Sequence, residues 1–267
     1  MGQAPPPPER RPLVVAHVSD LHLGAHDEDA VCTLPADVAA VHPALTVVTG
    51  DLTMRARPSE FRRVRELLDR LPEPRLVVLG NHDVPLVSVR RLVSPYGRYR
   101  AWVADEVNPV VRLPGLTALG LASMPRWRWK SGRVSTGQAE AVRDVLGGAS
   151  PGSVRLLALH HPPFATGLAR LAGRDRLTRA IVTSDVDLVL AGHTHRPTSG
   201  ARWLTAGDRT HRVVEVVAGT ATSRRIRGVC RSWTVVRFEP HQVRVEERHH
   251  RAGIWRTGRM CLHTWDG

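Results

Sequence analysis

Five short stretches of this chain carry side chains able to do chemistry. They read SDLHLG, with Asp20 and His22; GD, with Gly50 and Asp51; GNHD, with Asn81, His82 and Asp83; HHPP, from His160; and GHTH, with His193 and His195. Singly, each is ordinary: DxH and GD are common turn chemistry, NHD can cap a helix, and HHPP can be a loop with one buried histidine. Together, Asp20, His22, Asp51, Asn81, His160, His193 and His195 offer carboxylate, carboxamide and imidazole donors for divalent Mn, Fe or Zn, with no thiolate among them. Seven such groups exceed what one ion of about four to six coordination accepts while keeping a place for water. Two ions sharing a bridging carboxylate fit better. A pair about 3.5–4 Å apart would clamp the attacking and leaving oxygens of an in-line displacement at phosphorus and make hydroxide available near neutral pH.

Each group follows a short apolar run: Leu13–Val18, Leu45–Thr49, Leu76–Leu79, Val154–Leu159 and Leu188–Ala191. Near-continuous Val and Leu predict strands buried on both faces. Where such strands run mostly parallel, their ends converge on the edge at which open α/β sheets hold ligands. Packing gives no reason for five strands to end in Asp, Asn and His. A strand turns successive side chains to opposite faces, so His193 and His195 share a side if the extended geometry persists. On the residues alone they are two ligands of one metal, two ligands of different metals, or two surface histidines in a turn.

Helical patterns lie between the runs. PSEFRRVRELLDRL, from Pro58, places Phe61, Val64, Leu67, Leu68 and Leu71 on one stripe, with Ser59 as the expected N-cap. Ser135 to Gln138 has the form of a capping box before a helix with Ala141, Val142 and Val145 on one side. The alternation of strands and helices predicts an α/β sandwich. Val110–Leu113 and Leu116–Leu121 predict a hairpin across Pro114-Gly115. After Gly200, VVEVVAGT, CRSWTVVRFE and QVRVEER read as consecutive strands, within 212–248, of a second, more antiparallel sheet closing the same domain. The stretch from His249 to Gly267 carries no clear pattern.

The chain has 267 residues, and neither a repeat nor a long linker divides it, so residues 13–267 are expected to form one domain with its core in 13–220. Residues 1–12, polar and proline-rich, read as a disordered leader. With no signal peptide and no apolar run near the roughly 20 residues of a membrane span, a cytoplasmic protein is expected. Cys32, Cys230 and Cys261 match no zinc spacing and read as free thiols of a reducing compartment. The net charge of +13 fits a nucleic-acid partner, yet Lys130 is the only lysine and the arginines are spread along the chain. That skew looks as much like the codon usage of a GC-rich genome as like phosphate binding.

The ordered set DxH, GD, GNHD, H, GHxH resembles the calcineurin-like metallophosphoesterase superfamily, and it is complete here over Leu13 to Thr220. GRVSTGQ and GTATSRRIRG, both much less specific, extend the likeness. The resemblance implies a four-layer αββα sandwich, two mixed β-sheets flanked by helices. It implies two divalent transition-metal ions, Mn, Fe or Zn, with Asp20, His22 and His195 on the first, Asn81, His160 and His193 on the second, and Asp51 bridging. His82 would stabilise the transition state or protonate the leaving oxygen, Asp83 would orient His82 or its neighbours, and His161 would pack behind the ligands. The sequence looks most like the bacterial cyclic-nucleotide and small-diester phosphodiesterases. That implies hydrolysis of a phosphodiester, cyclic nucleotides included, through a metal-bridging hydroxide. The alternatives are a repair-type DNA nuclease, whose extra DNA-handling segments are not evident, a phosphomonoesterase or phosphoprotein phosphatase, and a phospholipid-precursor hydrolase. A non-catalytic scaffold fits poorly with an intact ligand set. One departure is Met54 and Arg55 after GDL, where relatives often carry an acidic residue and a glycine.

Other residues have two readings each. His17 reads as a core histidine. His26 and Arg224 are candidate substrate contacts, with a loop histidine and a charged surface loop as the plainer readings; Arg225 and Arg227 share the fate of Arg224. RWRWK, Arg126 to Lys130, suits either a nucleotide-stacking surface or half-buried packing. His249 and His250, between Arg248 and Arg251, read as a solvated basic edge. Oligomeric state is not legible.

Overall fold

Strands β1 (Leu13–Val18), β2 (Leu45–Thr49) and β3 (Arg75–Val78) run parallel, as do β5 (Leu116–Leu121), β6 (Val154–Leu159) and β7 (Leu188–Ala191). The computed structural model describes residues 13–86, 88–166 and 171–264, so the expected leader lies outside the described residues. The two parallel sets belong to two six-stranded sheets; with β4 (Val110–Leu113), β8 (Thr198–Ala206), β9 (Arg209–Val217), β10 (Arg231–Phe238), β11 (Gln242–Arg251) and β12 (Ile254–Thr264), the orders are β12-β11-β10-β1-β2-β3 and β4-β5-β6-β7-β9-β8. The sheets stack face to face and carry helices on their outer faces, which is the expected four-layer sandwich.

The continuous apolarity of the runs follows from this stacking. Val15, Leu45, Val47, Leu76 and Val78 point between the sheets and meet Leu116, Ala118, Leu156, Ala158, Leu188 and Leu190. Their alternates Ala16, Val18, Val48 and Val77 point outward, beneath α1 (Glu28–Ala39) and α2 (Pro58–Leu68). Leu119, Leu121, Leu157, Leu159 and Val189 do the same beneath α5 (Thr136–Val145) and α6 (Arg174–Thr183). A strand with a core on both sides has little room for polar residues; His17 and Thr49, which share a hydrogen bond at 2.9 Å, are among the few.

Several local expectations hold. β4 (Val110–Leu113) and β5 form the hairpin, with Gly115 at φ +79° in the turn. The capping box of α5 is present: Ser135 Oγ accepts from Gln138 N at 3.1 Å, and Gln138 Oε1 accepts from Ser135 N at 2.9 Å. The start of α2 differs. Its N-cap is Arg57, Pro58 takes the first helical position, and Glu60 Oε2 accepts from the backbone N–H groups of Arg57 and Arg55 at 3.1 and 2.8 Å. Ser59 is left inside the first turn.

The strands after Gly200 do not make a sheet of their own. β9 (Arg209–Val217) lies parallel to β7, because Val213 feeds the outer core while Val214 and Val216 feed the inner one. β10 (Arg231–Phe238) pairs antiparallel with β1 and is followed by β11 (Gln242–Arg251) and β12 (Ile254–Thr264). Of the four edge strands, β8 (Thr198–Ala206) and β12, absent from the sequence expectations, are half-exposed with little apolar alternation. His250 is not on a solvated edge: it is buried, its ring 4.8 Å from that of Trp255.

Candidate metal centre

The loops leaving β1, β2, β3, β6 and β7 meet at one end of the sandwich, and backbone hydrogen bonds fix them to one another. Asp20 N donates to Gly50 O (3.0 Å), His22 N to Asp51 O (2.9 Å) and Gly192 N to His160 O (3.0 Å). The chain does not continue as strand into these loops. Asp20, His22, Asp51, His193 and His195 adopt left-handed backbone, with φ of 54°, 48°, 51°, 72° and 59°. Asp and His are among the side-chain-bearing residues that most readily enter this region, and clustering of such strain marks a functional site. The extended geometry that would put His193 and His195 on one side therefore ends before them, and they diverge. Gly192 could carry no side chain, because a Cβ there would fall on Ser19 Oγ and Asp20 Oδ2.

Two groups of donor atoms result. In the first, His22 Nε2 lies 3.1 Å from His195 Nε2 and 3.7 Å from both Asp20 Oδ1 and Asp51 Oδ2, while His195 Nε2 is 3.2 Å from Asp20 Oδ1. In the second, Asn81 Oδ1 lies 3.2 Å from His160 Nε2 and 3.1 Å from His193 Nδ1; those nitrogens are 3.2 Å apart. Asp51 Oδ2 is also 3.4 Å from His160 Nε2, so one carboxylate faces both groups.

The donor set fits divalent cations. Asp20 Oδ1 is buried and accepts no hydrogen bond, whereas Oδ2 accepts from Ser19 Oγ at 2.6 Å and His193 N at 3.0 Å. A carboxylate oxygen stripped of water and left without a donor is costly unless a cation takes its charge. His160 and His195 donate Nδ1–H to Thr49 O (2.7 Å) and Arg225 O (2.8 Å), which fixes each ring and turns Nε2 toward the centre. His161, although adjacent, has no free nitrogen: Nδ1 pairs with Ser123 Oγ at 2.8 Å and Nε2 donates to Lys130 O at 2.9 Å. It packs behind the ligands, its ring 4.6 Å from that of His193.

The electrostatics agree. Burial pushes the Asp20 and Asp51 carboxyls up, but histidine neighbours, His195 and His22 for Asp20 and His160 and His22 for Asp51, outweigh it and hold both below the ordinary range. Burial lowers His160, yet Asp51 outweighs that too and raises it to about 9. Burial, with His160 beside it, brings His193 down to about 4. At neutral pH the carboxylates are ionised and His193 is neutral, the forms that bind metal, whereas His160, paired with Asp51, keeps its proton and must release it as a cation binds.

His82 lies at the rim, its ring 4.8 Å from that of His22. Its N–H donates to Asp51 Oδ1 (2.8 Å) and its Nδ1–H to Met54 O (2.7 Å). The latter contact uses a carbonyl, so the unusual Met54 side chain leaves it intact. Asp83 does not touch the His82 ring. Its Oδ2 accepts from Leu52 N (3.1 Å) and Gly80 N (2.8 Å), and its Oδ1 from Thr53 N (2.8 Å) and Thr53 Oγ1 (3.0 Å). It thus positions the loop that carries Asp51.

His26 turns away from the substrate role considered for it. It is buried, Nδ1 accepts from Gly24 N at 2.9 Å, and Nε2 meets Glu28 Oε1 at 3.1 Å. GTATSRRIRG does return to the centre, but through its threonines: Thr220 Oγ1 donates to Asp20 O (2.7 Å) and Thr222 Oγ1 to Leu21 O (2.6 Å). These hydroxyls were missed; the T-x-T spacing, which aims both at one face of an extended segment, was the available clue. Arg224 is exposed, tied to the centre only by its backbone N–H on Ala25 O at 3.0 Å.

A buried set of Asp, Asn and His donors at the strand ends of an αββα sandwich defines a metal-binding hydrolase of phosphate esters. The chain belongs to the calcineurin-like phosphoesterase family, whose model matches residues 13–197. It is 30% identical to a probable cyclic nucleotide phosphodiesterase of Synechococcus sp. over 72% of this chain and 77% of that one. It is 27% identical to a cAMP/cGMP dual specificity phosphodiesterase of Mycobacterium tuberculosis over 71% of this chain, a match spanning just 64% of the relative. The fold is shared with purple acid phosphatase PPD1 of yellow lupin, at a TM-score of 0.71 and 11% identity over 97% of this chain and 55% of the phosphatase. No helix among the described residues is long and apolar enough to cross a membrane.

Proposed function

We propose that this chain is a dinuclear metal-dependent phosphodiesterase whose substrates include cyclic nucleotides. The observation that carries the reading is the pair of donor groups that share Asp51 Oδ2, 3.7 Å from His22 Nε2 and 3.4 Å from His160 Nε2. Asp20, His22 and His195 would hold one ion, Asn81, His160 and His193 the other, and Asp51 both. Bound there, divalent ions supply Lewis acidity toward phosphoryl oxygens and lower the pKa of coordinated water. The identity of the ions is a matter for metal analysis; Mn, Fe and Zn all suit these donors.

The chain's own residues supply orientation and proton transfer. His82, held by Met54 O through Nδ1, keeps Nε2 for the substrate and in its charged form would donate to the leaving oxygen. Asp83 and the threonines of 220–222 keep the ligand loops in register. The cyclic-nucleotide preference is supported by the names of the Synechococcus and Mycobacterium relatives. The test is turnover of metal-reconstituted protein on bis-p-nitrophenyl phosphate, p-nitrophenyl phosphate, cAMP, cGMP and single-stranded DNA, with metal content measured in parallel. Diester turnover above monoester turnover, with two ions per chain, is expected. A dominant monoesterase, a single ion at saturating Mn, or DNA cleavage without cyclic-nucleotide hydrolysis would overturn the respective part of the reading.

A further inference from the structure

The short helix α3 (Val89–Val93) is polar on the inside and apolar on the outside. Arg91 is 4% exposed, while Val89, Leu92 and Val93, with nearby Leu86, are each more than half exposed. A soluble helix normally does the reverse. The inversion is built in: Arg91 donates to Pro85 O (2.8 Å), to Arg126 O (2.6 Å) and to Arg128 O, and its guanidinium lies 4.6 Å from the centre of the Trp129 ring. Arg126 Nη1 donates back to Leu92 O at 2.9 Å. One buried cation thus laces α3 to the RWRWK loop, whose Trp127 and Trp129 are both more than half exposed.

The two segments that build this patch carry charge of one sign. No acidic residue occurs between Asp83 and Asp105, nor between Glu106 and Glu140, whereas Arg90, Arg126, Arg128, Lys130 and Arg133 lie in those intervals. Such a rim would repel a second copy presenting the same face, and it is complementary to an anionic surface. Aliphatic side chains neither stack on bases nor hydrogen-bond to them, so Leu86, Val89, Leu92 and Val93 gain little from nucleic acid. They gain from hydrocarbon, and exposed tryptophans flanked by arginine and lysine suit the bilayer interface.

We propose that this face docks the protein on anionic phospholipid bilayers, with Leu86, Val89, Leu92, Val93, Trp127 and Trp129 entering the interface and the arginines meeting lipid phosphates. The patch adjoins the metal centre: Lys130 O accepts from His161, behind His193, and Asn81 to Asp83 run directly into the segment that Arg91 staples. Docking there brings the centre to the lipid surface. The inference stands on surface chemistry alone and does not depend on the metal-centre reading.

The test is flotation of the full chain with vesicles of phosphatidylcholine alone or with about 30% phosphatidylglycerol, at low and high salt. Binding to the anionic vesicles is expected, weakening with salt, and falling at least about tenfold in Leu92→Ser/Val93→Ser and in Trp127→Ala/Trp129→Ala. Melting temperatures check that these exposed substitutions leave the fold intact. Independently of any variant, brominated phosphatidylglycerol should quench part of the wild-type tryptophan fluorescence. The proposal is overturned if wild type does not float, if the variants float equally well, or if brominated lipid fails to quench. Duplex DNA binding that the same variants abolish, without vesicle binding, would assign the patch to nucleic acid instead.

Discussion

Replacing Asp83 by asparagine tests whether the Asp51 loop is held by a charge or merely by shape. The Asp83 carboxylate takes four donors, Leu52 N, Gly80 N, Thr53 N and Thr53 Oγ1, at 2.8 to 3.1 Å. An asparagine keeps one oxygen. If that oxygen serves Leu52 and Gly80, the new amide NH2 faces Thr53, whose hydroxyl can turn to His82 O, 3.0 Å away. The Thr53 N–H then has no acceptor. A buried unpaired N–H costs about 1–3 kcal/mol, and the surviving bonds lose their charge-assisted part, so a loss of about 3 kcal/mol is expected. At about 2–4 °C per kcal/mol for a chain of this size, the metal-free variant should melt roughly 6–12 °C lower. Near-UV circular dichroism reads the melt, and Mn titration should show weaker uptake because Asp51 sits on the loosened loop. An opposing effect exists: burial, and then the charge of Asp51, raise the Asp83 pKa, and a neutral amide relieves both. A fall of less than about 2 °C would mean that this relief dominates and that the positioning role is wrong.

Three further outcomes follow from contacts described above. His82→Ala should lower kcat by about 10²–10³ while leaving metal content unchanged, if its ring serves the substrate as proposed; an undiminished kcat by steady-state assay would remove it from the reaction. Buried His17, whose Nε2 pairs with Thr49 Oγ1 at 2.9 Å, is pushed down to about 3 by burial, so its neutral form stabilises the fold fully above the unfolded value near 6.5. That contribution is lost as pH falls from there toward 3, and denaturant titrations of His17→Gln should show a shallower acid slope than wild type over this window. Gly192→Ala should abolish metal uptake, because its Cβ would strike Ser19 and Asp20; normal Mn stoichiometry by elemental analysis would contradict that.

The donor residues of the candidate centre were the most legible part of the sequence because they follow strands whose apolar runs are unmistakable, and a strand end is a fixed address. The division of His193 from His195 came only from resemblance, since strand periodicity argued the other way and the left-handed backbone of His193 and His195 is not visible in composition. Edge strands β8 and β12 were missed because an exposed edge carries mixed polarity, and α1 because Pro35 lies inside it and its apolar stripe is weak. The C-terminal strands were seen but assigned to the wrong sheet. Their pattern is local, whereas pairing with β1 and β7 joins residues far apart in the chain. The inverted polarity of α3 could not be read at all, because a buried Arg91 looks like any surface arginine until its acceptors are known.

The left-handed backbone at five of the ligand positions also changes what removing a ligand should do. Alanine at Asp20, His22, Asp51, His193 or His195 would delete the donor and keep the strain, whereas glycine would delete both, because it enters this region without a steric penalty. At Asp51 this relief is opposed, because the carboxylate accepts from His82 N and its charge faces His160, so glycine there should melt below its metal-free parent. The centre is then a place where the sequence has accepted fragility in exchange for chemistry.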